Sequence, residues 1–89
     1  MYIYGAGKLG KKCYEDAKLA GYECKGFIVT DKQNNPDTIF GLPVIVPNEL
    51  KADDECIVAV KDEYKGDVIN NLRKLNRKEI LLYTSAGGV

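Results

Sequence analysis

The sequence predicts an α/β domain built on a parallel sheet of about five strands, with helices on both faces. Three observations predict it. Short apolar runs alternate with amphipathic helical stretches along the whole chain. The first apolar run passes straight into a G-x-G-x-x-G pattern, which in turn opens a helical stretch. The 89 residues are 45% hydrophobic and 29% charged, a balance that suits one small folded domain and not a disordered chain.

Tyr2-Ile3-Tyr4 reads as a strand ended by Gly5. Residues 8–20 read as a helix with Leu9, Cys13, Ala17 and Ala20 on one face, and Gly21 is placed to end it. Residues 22–29 read as the second strand. Residues 31–37, rich in Asp, Asn and Pro, read as a loop. Residues 39–46 hold a third strand. Pro43 near its start suits a sheet edge, where a missing donor does little harm.

Residues 47–50 begin a short helical turn. Residues 56–60 form a continuous apolar run, as expected of a parallel strand covered on both faces. Residues 61–76 read as an amphipathic helix with Tyr64, Val68, Ile69, Leu72 and Leu75 inward. Residues 80–83 read as the last strand, and the small residues 84–89 as a frayed end or the start of further chain. Right-handed crossovers give the strand order 3-2-1-4-5. A ligand crevice is then expected at the carboxyl ends of the first and fourth strands.

The glycine loop carries the chemistry. Gly5 suits the tight turn off the strand, Gly7 a close approach of the backbone to a pyrophosphate, and Gly10 close packing of helix on strand. The first N–H groups of the helix point at such an anion, and the helix dipole favours its charge. Lys8 in that first turn opposes the dipole by a few tenths of a kcal/mol, a conflict that a bound phosphate removes. Asp31 falls about 20 residues past the last glycine, where an acid accepts hydrogen bonds from ribose hydroxyls. The bland alternative makes the loop a turn without ligand, Lys8 a solvated cation and Asp31 a surface loop residue.

Other readings are weaker. Tyr14 and Lys18 form Y-x-x-x-K, but on the helix after the glycine loop, where the spacing marks one helical face. Cys13, Cys24 and Cys56 are widely spaced and there is no histidine, so reduced thiols are expected and no metal site. No serine or cysteine has a base partner, so catalysis by this chain alone is not expected. The net charge is zero, which gives no bulk attraction to nucleic acid. No apolar run approaches the ~20 residues of a membrane span and no signal peptide precedes the first strand. A cytoplasmic protein is the simplest expectation.

Taken together, Tyr2-Ile3-Tyr4-Gly5-Ala6-Gly7, Gly21-Tyr22-Glu23, Gly26-Phe27-Ile28, the I-F-G-L-P-V run from Ile39 and Ile57-Val58-Ala59-Val60 resemble one Rossmann-like module. It is similar to the N-terminal domain of bacterial sugar O-acyltransferases of the sialic-acid O-acetyltransferase type. It also resembles modules of polysaccharide glycosyltransferases and the N-terminal domains of nucleotide-sugar dehydratases. In the acyltransferases a left-handed β-helix follows, with the catalytic histidine and the acetyl-CoA site. Neither is found in these 89 residues.

The resemblance implies a single Rossmann-like nucleotide-binding domain over residues 1–89, either whole or part of a longer chain. Gly5, Ala6, Gly7, Lys8, Leu9 and Gly10 would line a phosphate, and Asp31 would face ribose or uracil. The implied ligand is a UDP-sugar or NAD(P). The implied role is a non-catalytic nucleotide-sugar module of surface-polysaccharide biosynthesis, accessory to a glycosyltransferase or sugar acyltransferase. Two alternatives stay open: the NAD(P)-binding portion of a sugar-nucleotide dehydratase or dehydrogenase, and a structural dimerisation module without ligand.

Overall fold

The structure, a computed structural model, describes residues 1–75 and 80–83. Its elements are β1 (Tyr2–Tyr4), α1 (Lys8–Leu19), β2 (Gly26–Ile28), β3 (Thr38–Ile39), β4 (Leu42–Ile45), a 3-10 turn (Pro47–Glu49), β5 (Cys56–Val58), α2 (Asp62–Lys74) and β6 (Leu81–Leu82). They form a mixed α/β fold with one six-stranded sheet in the order β3-β4-β2-β1-β5-β6. All pairings are parallel except β3 with β4.

Register explains the core. Ile3 lies opposite Phe27, and Phe27 opposite Val44. These three share one buried cluster with Val29, Ala59 and Cys13 of α1. One residue further along each strand, Tyr4 lies opposite Ile28 and Val58, and Ile28 opposite Ile45. These join Cys56 and the α2 residues Val68 and Leu72 in a second cluster. Successive strand residues point to opposite sides of a sheet, so two apolar residues in a row feed two different clusters.

Helix α1 ends as its glycine predicts. Gly21 has φ +87°, its N–H donates to Lys18 O at 3.1 Å, and the Tyr22 N–H donates to Ala17 O at 2.9 Å. This is a Schellman motif. It also shortens the second strand, because Tyr22 is spent on closing the helix. Pairing with β1 begins only where the Lys25 N–H reaches Met1 O at 2.7 Å.

The third strand differs from expectation. Its sequence folds into a hairpin, β3 and β4, and β4 lies between β3 and β2 instead of at the edge. Phe40 and Gly41 make the turn with φ of 53° and 78°, both in the left-handed region that a two-residue hairpin loop demands. Pro43 is tolerated away from the edge for a geometric reason. It faces Thr38 between the hydrogen-bonded positions of the hairpin, the next bond running from Val44 N–H to Asp37 O at 3.0 Å. On its other side the ladder with β2 starts at Val44. The missing donor of Pro43 therefore deprives neither ladder.

Both helices bury less than their periodicity predicts. Cys13 and Ala17 are buried as expected, with Gly10 beside them, whereas Leu9 is half-buried and Ala20 is exposed as the C-cap. In α2, Val68 and Leu72 are buried and Ile69 half-buried, but Tyr64 is 55% exposed and Leu75 also faces solvent. Residues 76 and 84–89, read as a helix end and a frayed tail, lie outside the described residues. Among the described residues no helix is long and apolar enough to cross a membrane.

Two glycines allow opposite tests. A Cβ at Gly10 would overlap the carbonyl oxygen of Gly5, which is backbone and cannot swing away. Gly66, inside α2, has nothing within 4 Å of a Cβ. Gly10→Ala is expected to lower stability by about 1–3 kcal/mol, and Gly66→Ala to raise it by about 0.5–1 kcal/mol. Urea denaturation of both variants checks the pair. Equal effects would mean that the Gly5–Gly10 approach does not constrain the fold.

Burial pushes the Cys13 thiol up to about 11 from an ordinary value near 9.0, with smaller contributions from Cys24 and Asp16. Between these values the unfolded chain has lost the proton that the folded chain keeps. Folding stability is therefore full below pH ~9 and falls toward pH ~11, by on the order of 2 kcal/mol from this group. Thermal denaturation across that range should show the fall, and Cys13→Ala should flatten it. An unchanged slope in that variant would assign the loss elsewhere.

Candidate functional site

Neighbouring strands β1 and β5 run parallel, and each is followed closely by a helix. The starts of α1 and α2 are thereby brought to the same end of the sheet. A cleft of about 500 Å³ opens there, lined by residues 5–9 of the glycine loop, by Ala59, Val60 and Lys61, and by Tyr64. A second cleft of about 620 Å³ runs beside it. It is lined by Tyr4, by residues 28–30 at the end of β2, and by Asp67, Asn71 and Lys74 of α2. Gly5, Val60 and Tyr64 line both, so the two clefts meet.

The three glycines of the loop have different reasons to be glycine. Gly5 has φ +129°, and a Cβ there would overlap the carbonyl oxygen of Ala59. Its N–H donates to Ile28 O at 2.9 Å, which ties the turn to β2 as well. Gly10 packs against the Gly5 carbonyl as described. Gly7 has neither reason. Its φ of −86° and ψ of −158° suit any residue at a helix N-cap, and nothing lies within 4 Å of a Cβ placed there. The chain keeps that space empty at the mouth of the cleft.

The two helix starts at this place differ in charge. Gly7 is the N-cap of α1, no side chain caps the helix, and its first turn holds no acid. The first N–H to bond back is that of Lys11, to Gly7 O at 3.0 Å. The N–H groups before it have no partner within the helix. By contrast, the first turn of α2 carries Asp62 and Glu63, the usual complement to a helix dipole. Lys8 and Lys61 line the smaller cleft and Lys74 the larger one, against Asp67 as the acid. Three lysines and one acid thus line the joined clefts, with Asp62 and Glu63 in the adjoining turn of α2.

Of the residues expected from sequence, Gly5, Ala6, Gly7, Lys8 and Leu9 come together in the smaller cleft, with Gly10 directly beneath the turn. Asp31 lies apart. It is exposed, its Oδ1 accepts the Gln33 N–H at 2.9 Å, and its carbonyl accepts from Asn35 Nδ2 at 2.8 Å. These bonds shape the loop after β2, and Asp31 lines neither cleft. Its neighbour Thr30 does, with its hydroxyl 2.7 Å from that of the buried Tyr4. Lys32 faces Glu49 at 3.0 Å and holds that carboxyl below its usual range. Tyr14 stacks on Phe40 with centroids 4.8 Å apart, so it packs in the hairpin–helix contact.

Sequence reasoning missed Thr30, Lys61 and Tyr64. One signal was available. Tyr64, Asp67, Asn71 and Lys74 recur at helical spacing beside the apolar stripe, a second face of α2 with hydrogen-bonding capacity. Among the described residues no three histidine, cysteine or acidic side chains gather as a metal site would require. Comparison with protein-family models, with curated proteins and with solved structures gives no match.

The empty space at Gly7 permits a stability test. An aspartate there can cap the free N–H groups and complement the dipole. Gly7→Asp is expected to raise the stability of the ligand-free protein by about 0.3–1 kcal/mol. A lowered melting temperature would show that the space is needed by the fold.

Proposed function

We propose that this chain is a Rossmann-like module that binds a nucleotide or nucleotide-sugar at the meeting of β1, β5 and the glycine loop. Helix α1 on one face of the sheet and α2 on the other would complete that fold, and the separate buried clusters they join support it. The single observation that carries the reading is Gly7. It is the one glycine of the motif whose lack of a side chain serves no internal packing, and it stands at the mouth of the cleft on an uncapped helix start. A pyrophosphate approaching the backbone needs that space. Lys8 and Lys61 line the same cleft.

The proposed role is non-catalytic. The module would hold a UDP-sugar or related nucleotide in the cytoplasm for a partner glycosyltransferase or sugar acyltransferase of surface-polysaccharide synthesis. This extends the resemblance carried by the Gly-Phe-Ile and Gly-Leu-Pro-Val runs. Binding would fall to the backbone N–H groups of the loop, with the apolar cleft walls excluding water from the phosphates.

A thermal-shift screen with UDP, UDP-sugars, NAD, NADP and coenzyme A tests the reading. A ligand that binds only the folded state at 100 times its Kd adds about 2.7 kcal/mol of stability. The expected result is a rise in melting temperature with a uridine nucleotide, abolished in Gly7→Asp although that variant is itself more stable. A response to NAD or NADP alone would favour the dehydratase-like alternative. No response to any of them would leave the loop as a turn.

A further inference from the structure

We infer that Tyr64 is the platform for the nucleobase, and that a bound nucleoside diphosphate lies along the joined clefts with its phosphates at the glycine loop and its base at Tyr64. This rests on the nucleotide reading above and assigns the position of the base within that site. Tyr64 lines both clefts at the point where they meet, together with Gly5 and Val60. It stands 55% exposed in the first turn of α2, although the periodicity of that helix assigns it to the apolar side. Among the described residues it makes no ring contact with another aromatic side chain, unlike Phe40, which is similarly exposed but stacks on Tyr14.

The two clefts offer different groups to the two ends of a nucleotide. The smaller cleft offers loop N–H groups with Lys8 and Lys61, which suit a diphosphate. The larger has Val60 and the Tyr64 ring where it meets the smaller cleft, and Asp67 and Asn71 on the Tyr64 face of α2. That combination suits a flat heterocycle and its sugar. Asp31, the acid expected to meet the ribose, lines neither cleft and is engaged in its own loop. The path past Tyr64 therefore takes the nucleoside between α2 and residues 28–30, and Asp31 does not line it.

Calorimetric titration of UDP, ADP and inorganic pyrophosphate into wild type, Tyr64→Ala, Tyr64→Phe and Gly7→Asp tests this. Wild type is expected to bind UDP and ADP more tightly than pyrophosphate. Tyr64→Ala is expected to weaken both nucleotides about tenfold, as loss of a stacking partner does, and to leave pyrophosphate unchanged. Tyr64→Phe keeps the ring and is expected to retain wild-type affinity. Gly7→Asp should lose all three ligands. Wild-type affinity for UDP and ADP in Tyr64→Ala, with loss in Gly7→Asp, overturns the inference and leaves the nucleotide site standing. So does pyrophosphate binding as tightly as UDP in wild type. Failure of wild type to bind any of the three removes the nucleotide reading and this inference with it.

Discussion

The approach of Gly10 to the carbonyl of Gly5 sets how closely α1 can lie on the end of β1, and the rest of the site follows from it. The turn must reverse within residues 5–7, and the helix must then pass directly over it. Gly5 in turn lies against the Ala59 carbonyl beyond β5, with no space for a Cβ. The loop is thus pinned by backbone on both sides. A side chain at position 10 would push α1 outward and draw Cys13 and Ala17 from the core. In a domain of this size, whose whole stability is about 5–15 kcal/mol, a loss of a few kcal/mol there is a large fraction.

The hairpin β3–β4 shows how a small sheet absorbs a local conflict. Phe40 sits at φ 53°, which costs a non-glycine residue roughly 1–2 kcal/mol. Its ring stacks on Tyr14, a contact of about 0.5–1.5 kcal/mol. The two terms are comparable, so the turn is held by tertiary contact with α1 and not by its own preference. Gly26 belongs to the same corner. A Cβ there would lie 2.6 Å from Pro43 O, so the glycine of the Gly-Phe-Ile run lets the hairpin strand close on β2. The Gly-Phe-Ile and Gly-Leu-Pro-Val runs therefore meet in space for a packing reason.

What was legible in the sequence was what short-range geometry decides. Gly5, Gly10 and Gly21 each sit where backbone conformation or close approach requires glycine, so their pattern announced the turn and both ends of α1. The central place of β1 followed from right-handed crossovers, which leave few alternatives. The hairpin was not legible, because Phe40-Gly41 lacks the Asn-Gly or Asp-Gly signature and depends on Tyr14, distant in sequence. Tyr64 was misread because periodicity tells which helical face is apolar and not how far the sheet extends beneath it. Asp31 satisfied the spacing of a ribose acid, but spacing alone cannot show that its carboxylate turns back on Gln33.

The magnitudes also bear on what kind of ligand such a site can hold. Each exposed lysine near an anion contributes roughly 0–1 kcal/mol, and an uncapped helix start about 0.3–1 kcal/mol. Lys8, Lys61 and the dipole at the start of α1 together thus supply about 3 kcal/mol at most, short of the ~4.1 kcal/mol that millimolar binding requires. These two terms alone do not hold a phosphate group, so hydrogen bonds from the loop N–H groups are needed as well. Under the nucleotide reading proposed above, further affinity would come from the loop N–H groups and from contact with Val60 and the exposed ring of Tyr64. On that proposal the phosphate end would position the ligand and the nucleoside end would add to the binding. In that proposed division the glycine loop would act as a register, placing one end of an extended molecule while the wall of α2 would select the other.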